Sequence, residues 1–425
     1  VVSGRTMYVG FNDADKVVAL DVADGEELWT FHADGPVRFS PVAALGNVYF
    51  GSDDGHLYCL DAQEGKLKWK FRGGPSARKA IGNERLISAW PARGGPVLAD
   101  DTVYFAASIW PFMGTFIYAL DAQSGEPRWI NDGTGSEYMV QPHSADSFGG
   151  VAPQGQLVVS GDKLLVPGGR SAPAVLDRQT GDIVYFNFTS KGEGGSSVTA
   201  DETRFFVHTR VRGTVAHLLS DGSKTKVSAN DPVLAEGFIY TANAPGEKDG
   251  KPEPGVIQAF DDQNKLRWQV VADGSGDLIR AGHRLYAAGS DSIVAVDPPS
   301  GGKIARVAWS IPVQGQVLRL VAAADRLFAV TLDGRIMAFG TKQSSPRILA
   351  DAAVPVEPSI ETSKRAARLL ELVGNPEGYA LWFGVDDGQL LEAVAAASQL
   401  HIVGVDPDAA KIDRFRRGLD KAGLY

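Results

Sequence analysis

Apolar and polar residues alternate in short runs along most of the chain, which is the pattern of half-buried β-strands. One run recurs in a fixed frame, Ala-x-Asp-x-x-x-Gly-x-x-x-Trp, at residues 19–29 and 119–129, and again at 59–69 with cysteine in the first place. Each copy predicts a strand, a tight turn and a second strand. The aspartate can accept hydrogen bonds from the backbone N–H groups of the turn, and the glycine supplies a positive φ.

Decayed copies of this frame follow, and most units begin with an additional apolar strand. The looser copies lie at residues 175–185, 259–268 and 295–309, and two units without the frame lie at 214–219 and 335–339. A four-stranded antiparallel unit of this kind cannot bury its faces alone, and radial closure is the usual solution. The chain is therefore predicted to be mainly β, with an eight-bladed β-propeller over residues 1–345. Seven blades are the alternative, if the degenerate unit at 204–226 merges with a neighbour.

The frame resembles the tryptophan-docking repeat of pyrroloquinoline-quinone-type (PQQ-type) β-propellers, and the resemblance extends to about residue 340. That repeat occurs in quinoprotein dehydrogenases and also in non-catalytic scaffold propellers of the outer-membrane-assembly type. The resemblance therefore implies a fold more specifically than a function. Residues 90–96 and 109–114 look like large bacterial propeller proteins, many from planctomycetes, that join such a propeller to a methyltransferase domain.

The hydrophobic period changes from two to 3.6 after the repeats end. Residues 346–362 contain Pro346, Pro355 and Pro358 and are predicted to be a linker. The remaining residues, 363–425, predict helices at 363–373, 389–397 and 407–422 and strands at 379–383 and 401–405. With glycines in the turn after the first strand and an acid after the second, this order predicts half of an α/β Rossmann-type domain.

The turn after the first of these strands resembles the first motif of class I methyltransferases that depend on S-adenosylmethionine. The resemblance implies that Gly384, Asp386 and Gly388 contact the cofactor and that Asp406 receives its ribose hydroxyls. Trp382 stands where that family usually has an acid, and Asp386 replaces the middle glycine. A nicotinamide-binding Rossmann unit and a degenerate module that binds neither cofactor are the alternatives.

Four long insertions interrupt the propeller repeats, at residues 72–94, 107–116, 130–153 and 244–255. In a blade whose strands run from A at the centre to D at the rim, these insertions are B–C or D–A connections. All four are therefore predicted to project from one face of the propeller. Loops of this length in compact domains are usually functional or disordered.

The insertions carry arginine, lysine and aromatic residues, which together suit a protein partner or an anionic or glycan-like ligand. The candidate binding residues are Arg78, Lys79, Trp90, Arg93, Trp110 and His143, and Phe112, Tyr138 and Asp146 lie beside them. A satellite core formed by Trp90, Trp110 and Phe112 is the alternative interpretation.

Composition removes several classes of function. The net charge is −9 without a dense basic run, so no nucleic-acid partner is expected. No apolar run is long enough to span a bilayer. The histidines show no metal-ligand spacing, and Asp53 and Asp54 are interpreted as hairpin-turn acids rather than calcium ligands. Cys59 is the only cysteine and is expected to be a small core residue.

Three functions remain, of which a binding or scaffold propeller with an appended methyltransferase-like module is favoured. The second is an S-adenosylmethionine-dependent methyltransferase whose propeller recruits the substrate. The third, a quinoprotein oxidoreductase, is less favoured because that class typically carries a vicinal cysteine pair and calcium ligands, so no PQQ is expected. The chain begins inside a repeat without methionine and is expected to be part of a longer protein. Its compartment is left open, with an extracytoplasmic location expected if it is like its propeller relatives.

Overall fold

Each predicted repeat forms one antiparallel sheet, and the sheets follow one another around a ring. The structure is a computed structural model that describes residues 1–82, 85–108, 110–133, 137–140, 144–168, 171–187, 194–207, 215–229, 231–248, 251–302, 304–341, 347–350 and 353–425. Within these ranges seven sheets have four blade strands and an eighth has three. The unit at residues 204–226 has a sheet of its own, so the propeller has eight blades.

The first three blades contain the best copies of the repeat. Blade 1 contains β1 (Val2–Ser3), β2 (Thr6–Phe11), β3 (Lys16–Asp21) and β4 (Glu27–His32), and blade 2 contains β5 (Val42–Ala44), β6 (Asn47–Gly51), β7 (His56–Asp61) and β8 (Leu67–Arg72). A hairpin of β9 (Lys79–Gly82) and β10 (Arg85–Ser88) follows. Blade 3 contains β11 (Gly94–Ala99), β12 (Thr102–Ala107), β13 (Phe116–Asp121) and β14 (Pro127–Asn131).

A second hairpin, a short strand and two blades come next. The hairpin pairs β15 (Glu137–Val140) with β16 (Asp146–Gly149), and β17 (Gly155–Gln156) runs parallel to β11. Blade 4 contains β18 (Val158–Ser160), β19 (Lys163–Gly168), β20 (Ser171–Asp177) and β21 (Ile183–Tyr185). Blade 5 contains β22 (Val198–Ala200), β23 (Arg204–Val207), β24 (Val215–Leu218) and β25 (Lys224–Ser228).

The last three blades complete the ring. Blade 6 contains β26 (Val233–Ala235), β27 (Phe238–Asn243), the hairpin strands β28 (Gly246–Lys248) and β29 (Lys251–Glu253), then β30 (Val256–Phe260) and β31 (Leu266–Val271). Blade 7 contains β32 (Leu278–Ala281), β33 (Arg284–Ala288), β34 (Ser292–Asp297) and β35 (Arg306–Pro312), and blade 8 contains β36 (Val317–Ala323), β37 (Arg326–Thr331) and β38 (Ile336–Phe339). The inner strand of each blade contacts the inner strand of the next, and β36 contacts β1.

The hydrophobic core of the propeller is divided among the blade interfaces. Eight clusters of buried apolar side chains each join two adjacent blades. The cluster that closes the ring packs Met7 and Val22 of blade 1 against Phe328 of blade 8. Burial of apolar surface therefore stabilises neighbouring blades as pairs, as expected for a repeat unit that cannot bury its own faces.

The tryptophan of each good repeat packs on the turn glycine of the following blade. An added Cβ would lie 2.5 Å from the Trp29 ring at Gly65, 2.7 Å from Trp69 at Gly125 and 2.5 Å from Trp129 at Gly181. Tyr185 makes the corresponding contact with Gly222 of blade 5. Neighbouring copies of the frame are thus in contact through this ring, and the glycine is needed both for its positive φ and for the space that the ring fills.

The repeat aspartate closes its turn as predicted. The Asp61 carboxylate accepts hydrogen bonds from the N–H groups of Gln63 and Glu64 at 2.9 and 3.0 Å. Asp121 makes the same two contacts in blade 3. This local geometry positions the following strand, so that the tryptophan pairs with the first residue of the frame, as Trp29 does with Ala19.

Blade 8 has no fourth strand among the described residues. Arg347, Ile348 and Leu349, which follow its last strand, have no strand hydrogen bonding. Instead Arg347 pairs with Glu26 at 2.7 Å, and the Leu349 side chain lies against Gly25, where other blades place a tryptophan.

The C-terminal module follows the predicted order of helices and strands. It contains α1 (Ile360–Val373), β39 (Glu377–Phe383), α2 (Gln389–Ala396), β40 (Gln399–Val405) and α3 (Ala409–Ala422), and β39 and β40 are parallel. Helix α1 begins before the predicted residue 363 because Ser359 caps it by accepting a hydrogen bond from Thr362.

Only one face of the two-stranded sheet is covered. Ala366 of α1 and Ala393 of α2 pack with Trp382 on that face. On the other face Phe383 and Leu381 are 76% and 65% exposed. Parallel sheets in Rossmann-type folds are covered on both faces, so the prediction of a Rossmann-type domain is not confirmed.

Replacing Gly65 by alanine tests the contact between blades. We expect Gly65→Ala to lower the free energy of unfolding by about 2–4 kcal/mol, because it combines backbone strain with displacement of the Trp29 ring. Gly46→Ala is the matched control, since Gly46 has a similar positive φ but no heavy atom near the added carbon. Its expected loss is about 1 kcal/mol. Urea denaturation followed by circular dichroism measures both variants, and equal losses would contradict a role for the docked ring.

Candidate functional site

The four insertions are B–C or D–A connections, as predicted, so they project from the same face of the propeller. The hairpins β9–β10 and β15–β16 precede blades 3 and 4, a 3₁₀ turn at Pro111–Met113 joins β12 to β13, and the hairpin β28–β29 joins β27 to β30. We call this side the insertion face. Three of its four insertions are close to blade 3.

Arg93 is held in an ion pair near the centre of this face. Its guanidinium bonds the Asp53 carboxylate at 2.9 and 3.1 Å, and Arg38 bonds the same carboxylate at 2.6 Å. Asp53 is 1% exposed, and the Arg93 side chain is 12% exposed. Arg93 therefore joins the B–C turn of blade 2 to the connection before blade 3, and most of its donor capacity is used inside the protein.

Asp53 and Asp54 lie in a B–C turn as predicted, but they are buried. Asp54 accepts hydrogen bonds from the Tyr58 hydroxyl and, at 2.8 Å, from the His56 N–H. Arg38, which the sequence analysis did not single out, is the second partner of Asp53. The sequence did show that Asp53 closely follows the buried strand that ends at Gly51, but no sequence pattern indicated the two arginines that bind it.

Trp90 belongs to the core, in agreement with the alternative interpretation. Its side chain is buried, its indole N–H donates to the Met113 carbonyl at 2.7 Å, and its ring contacts Phe116 edge to face. It therefore fixes the connection before blade 3 to the base of the 3₁₀ turn. The satellite-core interpretation applies to Trp90 and not to Trp110 or Phe112.

Trp110 and Phe112 point into solvent as a ring pair. They are 55% and 57% exposed, with ring centroids 6.0 Å apart. Strand β16 lies against the same 3₁₀ turn. On the hairpin, Tyr138 and Phe148 form a second pair at 5.2 Å and are 67% and 56% exposed. The two exposed pairs are thus carried by neighbouring segments.

The other candidate residues of the insertion face have different surroundings. Arg78 and Lys79 are exposed at the start of the hairpin β9–β10, and Asp146 is exposed on β16. His143 lies outside the described residues. The arginines and the aromatic pairs belong to different insertions of the same face, and a binding site that combines them stays a prediction.

The hairpin β9–β10 contacts the B–C turn of blade 1. Arg85 bonds the Asp15 carboxylate at 2.6 Å and the Asp13 carbonyl at 2.9 Å. Burial raises the pKa of Asp15 to about 6 in spite of this cation. Arg85, like Arg93, is thus used in an ion pair within the protein.

The glycines of the turn in the C-terminal module have the expected positive φ, but the Asp406 carboxylate near this turn is already bonded within the protein. Gly384, Asp386 and Gly388 all have positive φ. The Asp406 carboxylate accepts hydrogen bonds from the N–H groups of Val385 and Asp408, both at 3.0 Å, and pairs with Lys411. These hydrogen bonds lower the pKa of Asp406 below its usual value. Its lone pairs are directed at the protein's own donors.

Helix α3 packs on the propeller instead of on the β39–β40 sheet. Its Asp420 bonds Lys16 at 2.6 Å, Arg416 bonds Asp34 at 2.8 Å, and Arg417 donates to the Thr30 carbonyl on the outer strand of blade 1. Phe415 lies on Gly388, where an added Cβ would be 2.5 Å from its ring. Sequence periodicity indicated the helix but contained no information on this docking.

Among the described residues no three His, Cys, Asp or Glu side chains are grouped as a metal site requires. Cys59 is buried in β7, and burial raises the pKa of its thiol to about 12, in keeping with a core residue. The expectation that the chain binds no PQQ stays a prediction, and oxidation of an alcohol that requires both added quinone and calcium would contradict it. None of the helices in the described ranges has the length and apolarity needed to cross a bilayer.

Loss of Arg93 is expected to affect stability more than binding, because its guanidinium neutralises a buried carboxylate. Arg93→Ala should lower the free energy of unfolding by about 1–3 kcal/mol, with Arg38 compensating for part of the loss. Arg78→Ala is the control, since Arg78 is an exposed arginine of the same insertion. Chemical denaturation compares the two variants, and an Arg93→Ala protein as stable as the parent would disprove a structural role for this ion pair.

Known proteins resemble the propeller. A family model described as outer membrane protein assembly factor BamB matches residues 1–135. The outer membrane protein assembly factor BamB of Burkholderia pseudomallei is 27% identical over 274 residues, which cover 52% of this chain and 65% of that protein. The dehydrogenase subunit of the quinone alcohol dehydrogenase of Gluconobacter oxydans is 30% identical over 141 residues, covering 30% of this chain and 18% of that protein. The chain thus spans less than two thirds of the length of either relative.

A solved structure shows the same fold. The quinohemoprotein alcohol dehydrogenase from Comamonas testosteroni aligns with a TM-score of 0.54 at 14% identity, over 87% of this chain and 78% of that one. At this identity the likeness concerns the fold alone. The repeat frame, the eight sheets and these relatives together show that the chain contains an eight-bladed β-propeller of the PQQ-repeat type.

Proposed function

We propose that the chain is a scaffold that binds a protein partner through the insertion face of its propeller. The observation that carries this proposal is the pair of exposed aromatic contacts, Trp110–Phe112 and Tyr138–Phe148, on adjacent insertions. Exposed aromatic side chains are enriched where proteins bind one another, since they contribute large contact areas at low entropic cost. The rigid ring of blades holds these insertions in place.

The relatives support a binding role and an extracytoplasmic location as parts of this proposal. The Burkholderia protein is named as an assembly factor for outer membrane proteins, and it shares a longer stretch with this chain than the dehydrogenase subunit does. A quinoprotein-type oxidoreductase is the competing function. The absence of a fitting donor set among the described residues weighs against it.

The C-terminal module is proposed to be a degenerate, methyltransferase-like unit without cofactor. S-adenosylmethionine would need the Asp406 carboxylate for its ribose hydroxyls, but the Val385 and Asp408 N–H groups and Lys411 use that carboxylate. The Phe415 ring also occupies the space over Gly388. The residues present thus do not fit the cofactor, and Asp406 acts instead to hold the turn and α3 together.

Photocrosslinking tests the scaffold proposal on the intact chain in cells that express it. Benzoylphenylalanine at Trp110 or Tyr138 should give a discrete adduct with one protein, because both side chains project from the insertion face. Matched controls are Leu28 and Leu67, which are 52% and 45% exposed beside the C–D turns of the opposite face. Adducts from the control positions only, or from none of the four, would refute the proposal.

Calorimetric titration with S-adenosylhomocysteine tests the C-terminal module. We expect no measurable heat of binding to the 425-residue chain, since the ribose carboxylate is already bonded within the protein. Lys411→Ala is a useful second variant, because it removes the cation from Asp406 but leaves both backbone donors. Saturable binding by the unmodified chain would show that the module is a working cofactor site.

A further inference from the structure

Charge separates the insertions that surround blade 3. Residues 72–94 contain five bases, Arg72, Arg78, Lys79, Arg85 and Arg93, whereas residues 107–116 and 130–153 contain no lysine or arginine. The latter two segments carry the exposed aromatic pairs, and Asp132 and Asp146 are exposed beside them. The aromatic part of the insertion face is therefore acidic, and its cationic part lies on another hairpin.

The exposed apolar side chains of these two segments lie on neighbouring parts of the insertion face, since β16 lies against the 3₁₀ turn. We define the aromatic surface as Trp110, Phe112, Tyr138, Val140 and Phe148. Tyr138 is directly opposite Phe148 across the hairpin, and Val140 is opposite Asp146. With each ring more than half exposed, the four rings present on the order of 400 Å² to solvent. A patch of that size is as large as the largest found on a typical monomer and often marks a binding site.

The geometry points to an extended peptide segment as the occupant of this surface. Among the described residues, β15 pairs with β16 alone, so its other edge presents backbone N–H and C=O groups to solvent. A peptide strand added to that edge would place alternate side chains toward Tyr138 and Val140. The same peptide would receive main-chain hydrogen bonds from β15.

We propose that the aromatic surface binds an extended segment of a protein partner in which basic and apolar residues follow one another at every second position, so that one face of the bound strand carries both. This inference rests on the proposed scaffold function and specifies the chemistry of the partner. Lysine or arginine side chains would lie over the faces of Trp110 and Tyr138 and near Asp146, where both cation–π attraction and charge complementarity favour them. Apolar side chains would pack against Val140 and Phe148.

An anionic ligand, which the sequence suggested, fits this surface poorly. Arg93 and Arg85 are used by Asp53 and Asp15, and the exposed Arg78 and Lys79 lie on the hairpin β9–β10. No lysine or arginine occurs in the two segments that carry the aromatic surface. The nearest fixed charges of those segments are carboxylates, which repel an anion and attract a cation.

Short fluorescein-labelled peptides test the inference on the full chain. The first carries lysine and leucine in turn at every second position with serine between them, so that both lie on one face of the strand. The second replaces lysine by glutamate, and the third replaces leucine by serine. Fluorescence anisotropy at physiological salt should show binding of the first peptide alone. The double variant Trp110→Ala/Tyr138→Ala should weaken that binding by about tenfold or more, and Asp146→Lys should weaken it while improving binding of the glutamate peptide.

Phe383→Ala is the matched control, because Phe383 is an exposed aromatic residue of the C-terminal module. It should leave the affinity for the lysine–leucine peptide unchanged. Equal binding of the glutamate peptide, or an affinity insensitive to Trp110→Ala/Tyr138→Ala, would overturn the inference. Crosslinks from Trp110 without any peptide binding would overturn it too but would leave the scaffold function standing, whereas crosslinks from Leu28 and Leu67 alone would remove the scaffold function itself.

Discussion

The packing of a tryptophan on the turn glycine of the next blade is the contact on which the propeller depends. The ring needs a position without a Cβ, and the turn needs a positive φ, so one glycine meets both requirements. The Trp29 and Trp129 indoles also donate hydrogen bonds to carbonyls of the following blade, at 3.1 and 3.0 Å. Each blade is thus oriented by its neighbour, and the orientation is repeated until the ring closes.

The contact weakens toward the end of the ring. Tyr185 replaces tryptophan in blade 4, Asn264 takes the glycine position in blade 6 with a positive φ, and Gly301 of blade 7 has no heavy atom near an added Cβ. At the junction of blades 8 and 1 the Leu349 side chain takes the place of the ring. Three of the four large insertions lie next to blade 3, among the well-packed blades 1 to 4, and the fourth lies in blade 6.

The C-terminal module shows how a local pattern can be used for a different tertiary role. Its strands, turn and acid have the order of a cofactor-binding half-domain, but the acid bonds the turn and α3 leaves the sheet for blade 1. The Lys16–Asp420 ion pair is partly buried, so separation of the module from the propeller would leave these two charges without their partners. The module is therefore a fixed part of the propeller surface.

The sequence by itself determined the propeller fold and the aspartate–glycine turns, since these follow from a short frame that is repeated. The separate sheet of the unit at residues 204–226 decided for eight blades over seven. It also placed the insertions on one face, because strand order alone decides on which side a connection emerges. It could not decide which insertion residues are available for binding. Trp90 and Trp110 are the same residue type in adjacent insertions, yet one is buried against Met113 and Phe116 and the other is exposed. Arg93 is neutralised by Asp53, forty residues earlier in the chain. Such outcomes depend on which groups different blades bring together, and only the tertiary structure contains that information.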